Sequence, residues 1–213
     1  MSESVKTNRR TAQARATRLR IIDSARTLFL DHGYAATTLE RIAEGAGVAV
    51  QTVYFHFGNK STVLKEVMDV LSVGDDAPVP LLEWPWVRQV REEPDARRAL
   101  AIWVRNSRLV FGRVAPLLSV VRDAAGADPD MAAQWRVNQD QRYLAHRTFA
   151  EILAAKNGLR RGLTVSKAAD VIFTLLSPEV YLLATRERGW GPVRWQTWLT
   201  ELLANDLLGP DPR

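Results

Sequence analysis

The chain has 213 residues, 46% hydrophobic and 25% charged, enough for a buried core without covalent staples, and its lack of cysteine excludes disulfides, thiolate nucleophiles and Cys-containing zinc sites. Its formal net charge is +5, and residues 1–20 hold the whole excess: Lys6, Arg9, Arg10, Arg15, Arg18 and Arg20 face only Glu3. No apolar run reaches the roughly 18 residues of a membrane span, and none follows the basic start as a signal peptide requires, so the chain reads as cytoplasmic with no membrane partner.

A basic arm on a neutral body suits either a solvated tail or a polyanion partner at one end. After it, Ile21, Ile22, Ala25, Leu28 and Phe29 share one helical face, and His32-Gly33 is a helix end. The next helix starts at Thr37 or Thr38; Thr37 with Glu40 fits a capping box, and Leu39, Ile42, Ala43 and Ala46 form its buried stripe. Gly47 breaks it. A short helix follows over about Ala49–Phe55, then one from Lys60 with Val63, Leu64, Val67, Met68 and Leu71 inward. Gly74, Pro78, Pro80, Pro85 and Pro94 predict a linker after Ser72, although Leu81, Leu82, Trp84 and Trp86 are apolar enough to lie against the second domain.

Longer helices are expected over Pro94–Val114, Ala115–Ala125 and Asp128–Asn157, the last stopped by Gly158. Thr164 caps another. Ser177-Pro178-Glu179 combines a Ser cap, Pro in the first turn and an acid at the positive helix end, for a helix closed by Gly189. The last runs from about Pro192 to Leu208. No strand pattern or internal repeat is visible, so the chain reads as all-α with nine to ten helices.

The informative segment is Thr37–Lys60, TTLERIAEGAGVAVQTVYFHFGNK. Two short helices joined through a Gly turn are a helix-turn-helix. Val48 anchors the turn, while Val53 and Phe57, four apart, share the inner side of the second helix. That leaves Val50, Gln51, Thr52, Tyr54 and His56 outward, a set of hydrogen-bonding groups and one methyl-bearing residue suited to a major groove. Thr38, Ile42-Ala43, Ala46-Gly47-Val48, Thr52, Tyr54, His56-Phe57 and Lys60 together closely resemble the signature of the tetracycline-repressor (TetR) family over about residues 17–70. Ala49 departs from it, since the family often has a serine there that caps the recognition helix.

The resemblance implies a regulator, with residues 1–71 as basic arm, helix-turn-helix and linking helix, and residues 72–213 as a ligand-binding and dimerisation domain. It implies that Val50 and Gln51 face base edges in double-stranded operator DNA, and that Thr52 meets a thymine methyl or a phosphate. Tyr54, His56, Lys60 and Thr37 or Thr38 would meet phosphates, and Arg15 and Arg18 of the arm the backbone or minor groove.

Beyond residue 72 no motif is as specific. Trp135, Asn138, Gln139 and Arg142 share a face of one long helix and, with Trp103, Asn106 and Val110 of the helix before it, are the candidate pocket for a small-molecule effector. The resemblance puts the helices bearing Val171, Leu175, Val180 and Tyr181 at a homodimer interface; internal core is the other reading. His146 with Glu151 could bind a metal, but a satisfied or exposed His is the plainer reading. Neither G-x-S-x-G, a P-loop, H-E-x-x-H nor a dinucleotide glycine fingerprint occurs, so no catalytic residues and no cofactor are expected. An all-α enzyme that retains a helix-turn-helix and a constitutive DNA-binding protein remain the competing readings.

Overall fold

The computed structural model describes residues 2–73 and 83–209, with side chains for 11–71 and 83–209. Among them there are ten α-helices and no strand, only an isolated bridge between Leu159 and Leu208. The predicted Leu81 and Leu82 contacts, Lys6, Arg9 and Arg10 lie outside the described side chains.

Helices α1 (Ser2–Ala36), α2 (Leu39–Ala46), α3 (Val50–Phe57) and α4 (Lys60–Val73) gather around Ile21, Phe29, Ile42, Val53, Phe57, Leu64 and Val67. The arm is not a separate tail: the backbone of residues 2–20 continues α1. Gly33, at φ 73°, ends the regular part of α1 as expected. The cap falls one residue later than expected, and with Arg41 at the third helical position no capping box forms. Thr38 is the N-cap of α2 and accepts from the Arg41 N–H at 3.3 Å. Thr37 is fully buried instead, its hydroxyl donating to the carbonyls of Gly33 (2.8 Å) and Leu28 (3.1 Å), which ties α2 to the turn at the end of α1.

The expected linker contains α5 (Pro85–Glu92), with Pro85 in its first turn and Val87 and Val90 fully buried. Trp84 is buried and Trp86 packs on the second core, as their apolar character predicts. The two helices expected over Pro94–Ala125 are one, α6 (Ala96–Ala124), capped by Asp95 and containing Pro116. Pro116 forfeits one bond to the Gly112 carbonyl, while fully buried Ala115 and Leu117 hold the helix on both sides of it.

Helix α7 (Pro129–Ala155) returns antiparallel to α6, with Asp128 accepting from Met131 N–H at 3.1 Å. Thr164 caps α8 (Val165–Leu175) and Ser177 caps α9 (Pro178–Leu182), each as predicted. A π turn (Leu183–Glu187) extends α9, and α10 (Pro192–Leu207) closes the fold. The stretch Val165–Glu187 is as apolar as a membrane span, with a window of mean hydropathy 1.3, but 44% of that window is buried in the fold.

The two cores meet across α6 and α7. Leu117, Val121 and Met131 belong to the core of α1–α4, and Trp135 packs against it. Further along the same helices, Trp103, Val104, Phe149 and Leu153 belong to the other core. Arg113 Nε donates to the Leu71 carbonyl at 2.8 Å, fixing the end of α4 to α6.

Candidate nucleic-acid interface and effector core

Helix α3 sits on the fold through Val53 and Phe57, both buried. Gly47, at φ 64°, closes α2 by donating its N–H to the carbonyls of Ala43 and Glu44, and this sharp stop sets α3 across α2. Ala49 gives α3 no side-chain cap, as its methyl dictates. On the outer side Gln51 is exposed and Tyr54 is 50% exposed, while Val50, Thr52 and His56 are half-buried. The outer face also carries Phe55, 86% exposed, which the sequence reading missed. Its signal was present: Phe55 stands two residues from both Val53 and Phe57, so at 3.6 residues per turn it points away from the core. Its ring meets His56 edge-on at 5.5 Å.

Other predicted contacts are already engaged within the fold. Arg18 is ion-paired with Glu66 on α4, and its guanidinium lies 6.0 Å from the Phe57 ring centre. It braces α1 against α4 and is not a loose cation on the arm. Arg15 is exposed on α1. Thr37, sealed in the core, cannot reach a phosphate, so Thr38, exposed, is the residue available at the start of α2.

Lys60 is half-buried, and its ammonium donates to the Tyr34 carbonyl at 2.8 Å. Burial lowers its pKa, opposed by the negative charge of Asp128. Burial also pushes the Tyr34 phenol up to about 12, with Asp128 and Asp130 adding to the shift. Ser61 Oγ lies 3.1 Å from Asp130. The end of α1, the start of α4 and the start of α7 therefore meet in one polar knot.

In the second core, Trp103 stacks on Phe149 (4.3 Å, 8° between planes) and meets Trp86 edge-on at 5.1 Å and His146 at 6.3 Å. His146 is neither exposed nor satisfied. It is buried, and neither ring nitrogen makes a hydrogen bond of good geometry, although the Leu176 backbone lies near enough to favour the charged form. Burial above all, then the Arg142 charge, brings its pKa down to about 3, with only the Leu176 backbone acting the other way. Glu151 does not approach it as a metal ligand would, being exposed and 3.4 Å from Arg147. Trp103 Nε1, Asn138 Nδ2 and Trp195 Nε1 are likewise buried without partners. A buried polar group left unpaired costs about 1–3 kcal/mol, and four of these five atoms lie on α6 and α7.

The predicted pocket residues divide. Trp103 on α6 meets His146 of α7, Val110 is partly buried against the same core, and Asn106, buried too, donates to the Ile102 carbonyl of its own helix (2.8 Å). Arg142 donates to the Phe173 carbonyl at 2.7 Å, with its guanidinium 3.7 Å from that ring's centre, and Gln139 accepts from it at 3.2 Å. Burial lowers the Arg142 pKa to about 10, against the pull of Glu179. Asn138 accepts from Gln134 at 2.8 Å. Trp135 faces the other core and is not a wall of this one.

Among the predicted interface residues, Val171, Leu175 and Val180 are half-buried. Tyr181 is buried within the subunit, 4.9 Å from Trp195 and 6.0 Å from Phe111 between ring centres, so it is core. Leu183, 57% exposed in the π turn, and Val193, also exposed, are apolar surface that the sequence reading did not single out.

Residues 21–67 match the family described as bacterial regulatory proteins, tetR family. The probable HTH-type transcriptional regulator ArpR of Pseudomonas putida is 30% identical over 169 residues, spanning 76% of this chain and 77% of that protein. The crystal structure of NalD, the secondary repressor of the MexAB-OprM multidrug efflux pump in Pseudomonas aeruginosa, superposes with a TM-score of 0.71 at 20% identity, over 94% of this chain and 100% of that one. A SmeT–triclosan complex gives a TM-score of 0.71 at 18% identity, over 92% and 93%.

Proposed function

The chain belongs to the TetR family of bacterial regulatory proteins and is a helix-turn-helix transcriptional regulator, not an enzyme; we propose that it is a cytoplasmic repressor, bound as a homodimer to a pseudo-palindromic operator and released by a small molecule. The observation that carries the DNA half is the outer face of α3. Gln51, Tyr54 and Phe55 stand exposed on a helix whose other side is pinned by Val53 and Phe57. A rigid helix presenting an amide, a phenol and an apolar ring can enter a major groove and read base edges.

In this reading residues 1–71 bind DNA and residues 72–213 sense the effector and dimerise. Val50, Gln51 and Thr52 face the bases, with Gln51 pairing to adenine N6 and N7. Thr38, Tyr54, His56, Lys60 and Arg15 meet the backbone. The shared helices α6 and α7 carry the signal, since Trp103, His146 and Phe149 lie in the second core while Leu117, Val121 and Met131 of the same helices lie in the core under the reading helix. In this reading coupling runs through the α6–α7 hairpin as well as α4. The half-buried apolar side chains of Val171, Leu175 and Val180, with exposed Leu183, support pairing through α8 and α9.

Selection of bound duplexes from a random pool tests the reading. It should return sites with two-fold symmetry and half-sites about 34–36 Å apart, or a multiple. Gln51→Ala should relax one base pair per half-site, by roughly 1–3 kcal/mol of discrimination. Asymmetric sites alone would overturn the dimer, and unaltered preference in the variant would remove Gln51 from the bases. The effector half is tested by release of the selected duplex, with triclosan, bound by the similarly folded SmeT, as the first compound.

A further inference from the structure

The buried polar atoms without partners are not scattered. Of the five among the described residues, Trp103 Nε1 lies on α6, and Asn138 Nδ2 and both His146 ring nitrogens lie on α7. The Trp103–Phe149 stack joins these antiparallel helices at one end of the seam, and Leu117 and Met131 share a core at the other. Asn138 and His146 are two turns apart on one face of α7, which at the helical rise is about 12 Å. Phe173 of α8 closes the His146 end, its ring 6.4 Å from the imidazole and under the Arg142 guanidinium. Phe173 and Arg142 are half-buried, so this end of the seam is the one nearest the surface.

The chemistry of the two ends differs. A neutral imidazole carries one N–H and one bare nitrogen, and the Trp103 indole adds a second donor. An aromatic hydroxyl answers both, giving its proton to the bare nitrogen while its oxygen accepts from an N–H. The Asn138 amide nitrogen calls for an acceptor. Between them α6 contributes the apolar side chains of Val110 and Val114, and α7 contributes Arg142, whose guanidinium is turned away to the Phe173 carbonyl and ring.

We infer that the α6–α7 seam, from Trp103 and His146 to Asn138, takes an elongated two-ring aromatic molecule with a hydroxyl at the His146 end and a hydrogen-bond acceptor at the Asn138 end. This rests on reading the chain as effector-responsive. The seam is packed shut at Trp103 and Phe149, so occupancy must part α6 from α7. A molecule that binds only the parted form shifts the protein toward it.

The probes are 4,4′-dihydroxybiphenyl, 4-hydroxybiphenyl and biphenyl, titrated calorimetrically into the full chain, with biphenyl measured by competition. The same additions are made to the chain on its selected duplex, followed by fluorescence anisotropy. The dihydroxy compound should bind most tightly and biphenyl least, each hydroxyl contributing roughly tenfold. Asn138→Leu should reduce the dihydroxy compound to the affinity of 4-hydroxybiphenyl. His146→Phe, which keeps an aromatic ring in the core, should weaken both hydroxylated probes and leave biphenyl unchanged, and His146→Gln should restore part of the loss. Thermal melts check that each variant is folded. Equal affinity for the three probes, or the same ranking in both variants, overturns the site. Binding as described with the duplex still held would uphold the site and overturn effector release. Release by an unrelated molecule, with no binding of the dihydroxy probe, would do the reverse.

Discussion

Lys60 places its ammonium 2.8 Å from the carbonyl oxygen of Tyr34 and 4.1 Å from the centre of that residue's ring. The first residue of α4 is thereby fastened to the end of α1, beside the Asp128 and Asp130 carboxylates that open α7. The family resemblance gives the same lysine a phosphate to bind. A single ammonium has three donors, so a contact to DNA and the contact to Tyr34 can coexist or compete.

The variant Lys60→Ala separates these cases. Loss of the Tyr34 contact should lower stability by about 1 kcal/mol, read by urea denaturation without DNA. If the ammonium also meets a phosphate, the slope of log K against log salt should fall by about one. We expect both effects. A stability loss with an unchanged slope would leave Lys60 as a strut only.

Tyr54 and Phe55 make a second test on α3. Tyr54→Phe removes one hydroxyl from an exposed ring, and it should weaken operator and random duplexes alike, because phosphates carry little sequence information. Phe55→Ala removes exposed apolar surface and should change stability by less than about 0.5 kcal/mol. Its effect should fall instead on operators with a thymine at the contacted position, whose methyl an apolar side chain can meet. Binding measured against duplexes carrying uracil in place of thymine checks this; an equal loss on both would remove the methyl contact.

Much of this architecture is legible in the sequence because local signals agree. Gly47 and the Val53–Phe57 pair locate the helix-turn-helix, and Ser177-Pro178 locates the start of α9. What escapes the sequence depends on tertiary contacts. The adjacent Thr37 and Thr38 are equivalent on paper; the carbonyls of Leu28 and Gly33, left by the turn at the end of α1, draw Thr37 into the core and leave Thr38 to cap. Pro116 reads as a break, yet buried neighbours carry α6 through it. Arg18 reads as part of a basic arm until Glu66, 48 residues away, is folded against it. His146 looks unremarkable in sequence, because its lack of partners is a property of α6, α7 and α8 together.

The subunit interface is tested by charge. Leu175→Arg and Leu183→Arg should each yield a folded monomer if α8 and α9 pair across a two-fold axis, since an unpaired cation would be buried there. Tyr181→Phe should leave the dimer intact, because that ring packs inward on Phe111 and Trp195. Sedimentation velocity reads all three. An intact dimer in both arginine variants would move the interface elsewhere.

Gly158 marks a close approach between the end of α7 and the start of α6. A Cβ there would fall 2.3 Å from the Ala96 Cβ and 3.2 Å from the Leu153 carbonyl. Gly158→Ala should therefore destabilise the chain by about 1–3 kcal/mol. Ala96→Gly in the same chain removes the nearer obstacle and should recover part of that loss, a coupling that chemical denaturation of the two single variants and the double variant would show. Independent, additive effects would mean that the Ala96 methyl is not what Gly158 makes room for.

His146 makes an acid-dependent contribution whose sign comes from its burial. Its folded pKa of about 3 lies below the ordinary value of 6.5, so the unfolded chain takes up a proton between these limits and the folded chain does not. Stability from this residue is fully present above about pH 6.5 and is lost as pH falls toward 3. At pH 5 the loss is roughly 2 kcal/mol. Other groups titrate in the same range, and the nearby Arg142 stays charged throughout, so the informative quantity is the difference between the native chain and His146→Phe. The variant should lose less stability between pH 7 and pH 5, by about that amount, in urea denaturation at each pH. Parallel pH profiles for the two proteins would mean that His146 titrates normally in the fold, through an opening of the α6–α8 core that admits water to the imidazole.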